Sequence, residues 1–220
     1  MSRDAARARS LVKGVMFDDR ADAGRQLARL LGHLRGPDLV VLGLPRGGVV
    51  VAAEVARALQ APLDVLVVRK LGHPGQPELA IGAIGEGGVR VLSSDRSLRE
   101  RLEESVLRTI ELRESAVLRA RLARLRQDHP RVDLGDRVAL VIDDGIATGS
   151  TIRAGCLVAR GLGAARVVVG VPVAPAGAVR RLREADEVLC VATPPHFVAV
   201  GAHYRNFGQT SEDEVLALLG

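Results

Sequence analysis

Apolar and polar positions alternate along this chain in two rhythms. Short continuous apolar runs, Leu39–Gly43, Leu63–Val68, Val138–Ile142, Arg166–Val173 and Val188–Ala192, have no polar face. Such runs read as strands buried on both sides. Between them apolar residues recur at helical spacing. Asp19 predicts the cap of a helix to about Leu34, with Ala23, Leu27, Leu30, Leu31 and Leu34 on one face and Gly36-Pro37 as its stop. Further helices are predicted over about Val49–Leu59, from Ile152 to about Leu162, and near Gly177–Glu184 after Pro175. Strand, turn, helix, strand in repetition predicts an α/β fold, a Rossmann-like parallel sheet flanked by helices.

Three stretches depart from that rhythm. Gly72-His-Pro-Gly-Gln-Pro77 carries two prolines and two glycines and predicts an exposed, mobile loop rather than regular structure. Ala80–Ile84 and Val89–Leu92 flank Gly85-Glu-Gly-Gly88, which predicts a β-hairpin. Ser94 or Asp95 then predicts the cap of a long helix to about Gln127. Its apolar period, Leu98, Leu102, Val106, Ile110, Val117, Leu122 and Leu125, drifts, so a bend or break is expected near Glu114–Ser115. The tail His196–Phe207 reads as extended or irregular, and Ser211 with Glu214 forms a capping box for a last helix, Glu212–Leu219. With no repeat and no low-complexity linker, a single domain over 1–220 is expected. A small helical and irregular cap would come from about 11–35, 93–130 and 194–220.

Composition narrows the picture. The chain has 220 residues, 47% of them hydrophobic but only 2% aromatic, so its core must be built from Val, Leu, Ala and Ile. No apolar run approaches the roughly 18 residues that span a bilayer. The first residues lack an apolar signal core, so a cytoplasmic protein without a membrane segment is expected. Cys156 and Cys190 have no metal-ligand spacing and read as small buried residues. The net charge of +5 invites a nucleic-acid partner. But the cations are spread along the chain, nearly all Arg, and stacking aromatics are scarce. An anionic small molecule explains the charge equally well.

The chemistry concentrates at residues 138–151. The apolar run ends in two carboxylates, Asp143 and Asp144, followed by the small-residue turn Ala147-Thr148-Gly149-Ser150-Thr151 at the start of a predicted helix. Backbone N–H groups, hydroxyls and the helix start together make a phosphate seat. Two acids beside it would repel a phosphate alone. A sugar phosphate resolves the conflict, its hydroxyls donating to the carboxylates. A helix-capping turn would need one Asp, not this whole string. The segment closely resembles the phosphoribosyl diphosphate (PRPP) signature of type I phosphoribosyltransferases. The resemblance implies that Asp143 and Asp144 hold the ribose 2′- and 3′-hydroxyls, and that Ala147, Thr148, Gly149, Ser150 and Thr151 take the 5′-phosphate.

Two further features fit a diphosphate. Leu44-Pro45-Arg46-Gly47-Gly48 follows a predicted strand and opens a helix, and its glycines admit close backbone approach. In the resembled family the equivalent loop binds diphosphate, often around a strained peptide bond, which gives that role to Arg46, Gly47 and Gly48. Arg69-Lys70 closes the next strand, and Lys70 is one of only two lysines, with Lys13. By resemblance these basic residues contact diphosphate, and the following loop, over 71–78, closes as a lid; a solvated basic pair is the alternative. The implied activity is transfer of the phosphoribosyl group of PRPP to a nitrogenous acceptor, with Mg²⁺ held mainly through PRPP and with Asp143, Asp144 and Lys70 as the catalytic set. Family members that use 6-oxopurines carry Asp where this chain has Ala147, which argues against hypoxanthine or guanine. Phe197, Tyr204 and Phe207 could stack on a base or simply pack the tail. A PRPP sensor without turnover is the other reading, and a homodimer is compatible with the family.

Overall fold

The structure, a computed structural model, describes residues 16–92 and 103–220. Five parallel strands form the main sheet in the order β2-β1-β6-β7-β8: β1 is Leu39–Gly43, β2 Leu63–Val65, β6 Val138–Ile142, β7 Arg166–Val173 and β8 Glu187–Ala192. β1, β6 and β7 are apolar and buried along nearly their whole length, as the unbroken runs predict. Alternate side chains feed two cores. Leu39, Val41, Leu140, Ile142 and Val168 pack under α1 (Arg20–Leu31) and α2 (Gly47–Leu59). Val40, Leu42, Val141, Val167 and Val169 pack under α4 (Ser150–Gly161) and α5 (Ala176–Arg181). Cys156 and Cys190 are free thiols inside this second core, where burial pushes the Cys190 thiol up to about 12.

The predicted strand Leu63–Val68 is corrected to two pieces. It leaves the main sheet after Val65, because its partner β1 ends at Gly43 and Leu66 N–H makes the last rung to the Gly43 carbonyl (3.0 Å). Val68 then begins a second, antiparallel sheet, β3-β4-β5, made of Val68–His73, Gln76–Gly85 and Arg90–Leu92.

The predicted loop Gly72–Pro77 is likewise corrected. His73 pairs with Gln76 across a two-residue turn, Pro74-Gly75, and β3 and β4 run up to it from both sides. The prolines do not forbid the ribbon: Pro74 sits in the turn itself. Pro77 follows register shifts around Gly72, where the ladder is already irregular. The expected hairpin between β4 and β5 is present, turned by a short 3-10 segment, Glu86–Gly88.

Helix α3, Glu104–Leu125, runs unbroken through the position where a bend is predicted. Glu114 drifts onto its inward face for a reason the period alone does not carry: it is buried and binds Arg69 of β3 (2.6 Å) and Arg113 (3.0 Å). The predicted caps Ser94 and Asp95, with Leu98 and Leu102, lie outside the described residues. Arg126, just past α3, binds the buried Asp64 of β2 (2.6 Å), Glu86 of the hairpin turn (2.8 Å) and the Val65 carbonyl (2.9 Å). One guanidinium therefore ties α3, the second sheet and the main sheet together. Leu118 and Leu125 of α3 share a third core with Val49, Leu71, Ile81 and Val215.

The chain ends in α6, Glu212–Leu219, with the predicted Ser211–Glu214 capping box formed. Among the described residues no helix is long and apolar enough to cross a membrane.

Candidate active site

Two turns of the main sheet open side by side because β1 and β6 pair in parallel and end on the same rung, Gly43 opposite Ile142. The Leu44 N–H continues that pairing to the Ile142 carbonyl (2.9 Å). Past it, the turn into α2 and the acidic pair touch. A Cβ at Gly47 would collide with an Asp144 carboxylate oxygen. One at Gly48 would lie 2.8 Å from the Ile142 carbonyl and 2.9 Å from the Asp143 Cα. Main chain leaves room only for glycine at Gly48, whereas a side chain at Gly47 would have to displace the Asp144 carboxylate and Arg20. The Pro45–Arg46 peptide bond is cis, and Arg46 caps α2.

On the other side of the acids, residues 145–152 line a hollow of about 160 Å³ together with Asp143 and Val200. Gly149, at φ 87°, turns the chain into α4. The first N–H groups of a helix have no intrahelical partners; here the Ser150 N–H donates to the Thr148 hydroxyl (3.4 Å). Ser150 is buried and shares a 3.1 Å hydrogen bond with the Thr148 hydroxyl. Lys70 reaches in from β3 and donates to the Ser150 hydroxyl (3.3 Å). Ala147, Thr148 and Thr151 lie at its mouth, Ala147 and Thr151 among the more open of them.

Arg69 points away from Lys70, as strand neighbours must, and is engaged by Glu114 of α3 (2.8 Å). Burial pushes the Glu114 carboxyl up, but the Arg69 and Arg113 hydrogen bonds more than offset it and hold it below its ordinary range. The sequence-predicted residues therefore fall into one cluster, with Gly47, Gly48, Asp143, Asp144, the turn 147–151 and Lys70 brought together, and Arg46 and Arg69 on its α3 side.

The acids differ in surroundings. Burial first, and the neighbouring Asp144 charge second, push the Asp143 carboxyl well above the usual carboxylate range. The Asp144 N–H (2.9 Å) and Arg20 act in the opposite direction. Asp144 instead meets Arg20, whose Nε donates to its carboxylate at 2.8 Å. The Tyr204 hydroxyl donates to the Asp144 carbonyl (2.5 Å).

Sequence reasoning misses Arg20, and the one local signal is faint: a cation in the first turn of a helix opposes the dipole. It also misses Arg121 of α3, whose Nε is buried without a hydrogen-bond partner, 3.7 Å from Glu212. Burial pushes the Arg121 pKa down; Glu212 opposes this, while the charges of Arg46 and Arg69 add to it. Three arginines thus stand within electrostatic reach of one another.

A larger hollow of about 540 Å³ lies between the outer ends of α1 and α2 and shares no residue with the acidic pair or its turns.

A model of the phosphoribosyl transferase domain matches residues 18–200. TT1426 from Thermus thermophilus, a solved structure, is 45% identical with a TM-score of 0.87, over 93% of this chain and 98% of that one. Provisionally named phosphoribosyl transferases of Mycobacterium tuberculosis, strains H37Rv and CDC 1551, are 57% identical over 205 residues. That match takes in 93% of this chain but 46% of theirs, so the chain spans about half the length of the curated relatives it matches. With that domain matched over most of this chain and a 45% identical relative aligned over nearly all of both chains, the chain belongs to the phosphoribosyl transferase domain family.

Proposed function

We propose that this chain transfers the 5-phosphoribosyl group of PRPP to a nitrogenous acceptor, a nucleobase being the leading class, and releases diphosphate. One observation carries the reading: an acidic pair lies between two turns built for anions. The Gly47-Gly48 backbone abuts the carboxylates on one side, and the 145–152 hollow opens on the other. A pentose bearing a phosphate at one end and a diphosphate at the other has that layout.

In this reading the 147–151 turn takes the 5′-phosphate, with Lys70 at Ser150 adding charge. Asp143 and Asp144 accept from the ribose hydroxyls. Gly47 and Gly48 bring backbone N–H groups to the diphosphate, while Arg46, Arg69 and Arg121 supply positive potential. The charges of Arg46, Arg69 and Arg121 act on one another, and Glu114 and Glu212 balance two of the three, which leaves positive potential for an anion. The bond between C1 and the diphosphate oxygen breaks, and its electron pair leaves with diphosphate. The acceptor nitrogen forms the new bond to C1 and gives up its proton to solvent. The ring carbon passes through an oxocarbenium-like state, which a carboxylate beneath the ring stabilises. The work is positioning and electrostatics, without a covalent enzyme intermediate.

A magnesium ion would be held mainly through PRPP itself, with Asp143 and Asp144 as the nearest carboxylates and Asp144 already engaged by Arg20. When bound, it would supply positive charge that makes diphosphate easier to expel. The N-terminal segment, α3 and the tail form the cap over this edge in our reading.

The test is diphosphate release from PRPP with Mg²⁺ and a panel of nucleobases. Release that depends on one acceptor supports the transferase and identifies the base. Tight PRPP binding with no release for any acceptor assigns the chain to PRPP-sensing proteins instead.

A further inference from the structure

The wall of the site beside Asp144 is built from the segment before α1 and the tail, which run alongside each other. Phe17 N–H donates to the His203 carbonyl (2.9 Å), Arg205 N–H to the Phe17 carbonyl (2.8 Å) and Asn206 N–H to the Asp18 carbonyl (2.9 Å). Phe17, Tyr204 and Phe207 pack in sequence, with ring centroids 5.3 and 4.9 Å apart. This strap puts Arg20, the first residue of α1, directly over the acidic pair.

The Arg20 side chain makes three contacts there. Nε donates to the Asp144 carboxylate (2.8 Å), one terminal nitrogen donates to the Gly208 carbonyl (2.7 Å), and the guanidinium lies 3.9 Å over the Phe207 ring. Both members of the ion pair are mostly shielded, the Arg20 side chain 12% and the Asp144 side chain 18% exposed. The tail also holds the main chain of the same residue, through Tyr204. The strap therefore grips Asp144 at both its carboxylate and its carbonyl.

We infer that Arg20, braced by Phe207 and Gly208, is a positioning residue that fixes the Asp144 carboxylate in the orientation that receives the sugar; this rests on the sugar-binding reading above. A carboxylate at a strand end has free torsions and would sample several orientations in the absence of a partner. Holding it in one removes the ordering cost from the binding step. The planar fork matters here: three simultaneous contacts at fixed angles are within reach of a guanidinium but not of a lysine ammonium.

The test is a double-mutant cycle read by calorimetric binding of ribose 5-phosphate. Arg20→Gln should weaken binding about 2- to 10-fold, the cost of ordering one side chain on binding. In an Asp144→Asn background the same change should add little, because Arg20 acts through Asp144. Arg20→Lys should recover only a small part of the loss. Equal losses in both backgrounds would show a merely structural residue and overturn the inference. If Arg20→Gln folds poorly, Phe207→Leu keeps the ion pair, removes its brace and should weaken binding by a smaller factor; unchanged affinity there counts against us. A ligand-free crystal structure of Arg20→Gln reads the positioning independently of the sugar. An Asp144 carboxylate unmoved beside Gly47 sinks the inference, even where ribose 5-phosphate binds. Failure of the wild type to bind ribose 5-phosphate, with the carboxylate displaced in the variant, leaves the positioning intact and refutes the sugar-binding reading instead.

Discussion

Asp143 and Asp144 are adjacent in the chain, yet the fold gives them opposite surroundings. Asp144 has a guanidinium partner, while Asp143 has burial and a like charge. A carboxyl whose pKa is raised in the folded state binds its proton more tightly there than in the unfolded chain. Its ionisation therefore opposes folding, and stability present below the ordinary carboxylate range is lost as pH rises through the raised folded value. Asp143→Asn should accordingly raise the melting temperature at about pH 7, a gain that vanishes as both proteins are taken below about pH 4. The same variant should bind ribose 5-phosphate more weakly, which separates its functional value from its stability cost. At Gly48 a methyl group would meet main chain at 2.8 and 2.9 Å, which cannot swing aside. Gly48→Ala should cost about 1–3 kcal/mol in chemical denaturation and reduce turnover sharply. The two acids are legible in the sequence because the motif keeps them and the small-residue turn within one short segment, 138–151. Arg20 is not, since it lies 124 positions from Asp144.

Elements are legible where a single local rule decides them. The Asp19 cap and the Ser211–Glu214 box form as expected, because capping is settled within four residues. Ser211→Ala should cost about 1 kcal/mol, read as a shift of a few degrees in thermal unfolding. The ribbon Val68–Gly85 overrides the loop expected at Gly72–Pro77, because strand pairing outweighs the local preference of proline and glycine once a partner strand is in register. Helix α3 runs unbroken, and its inward face accommodates Glu114 because Arg69 on β3 pairs with it, a partner no helical period contains. Arg126 joins three elements through Asp64, which is 3% exposed, and Glu86. Arg126→Ala would leave a buried carboxylate without its cation and should cost about 3–5 kcal/mol. The measurement is urea unfolding of the variant against the wild type. A cost near zero would mean that the second sheet docks by apolar contact alone.

At the scale of the whole molecule, the central strand carries both cores. Leu140 of β6 is fully buried, and Leu140→Ala should cost about 2–5 kcal/mol, whereas exposed Leu112→Ala should stay within about 0.5 kcal/mol. A ligand that seats between the two turns should stabilise everything they join. Ribose 5-phosphate at about 100 times its Kd should add about 2.7 kcal/mol, visible as a rise in melting temperature. By itself the sequence determined the parallel α/β sheet, its strands and most helices, the caps and the signature loop. Each of these follows from hydrophobic period or from contacts within a few residues. Only the tertiary structure decided that β1 and β6 end on one rung, that Arg69 turns to α3 while Lys70 turns to Ser150, and that the tail closes over Asp144 with Arg20. Those outcomes depend on partners distant in sequence, brought together by strand register and by charges that burial forces to find one another.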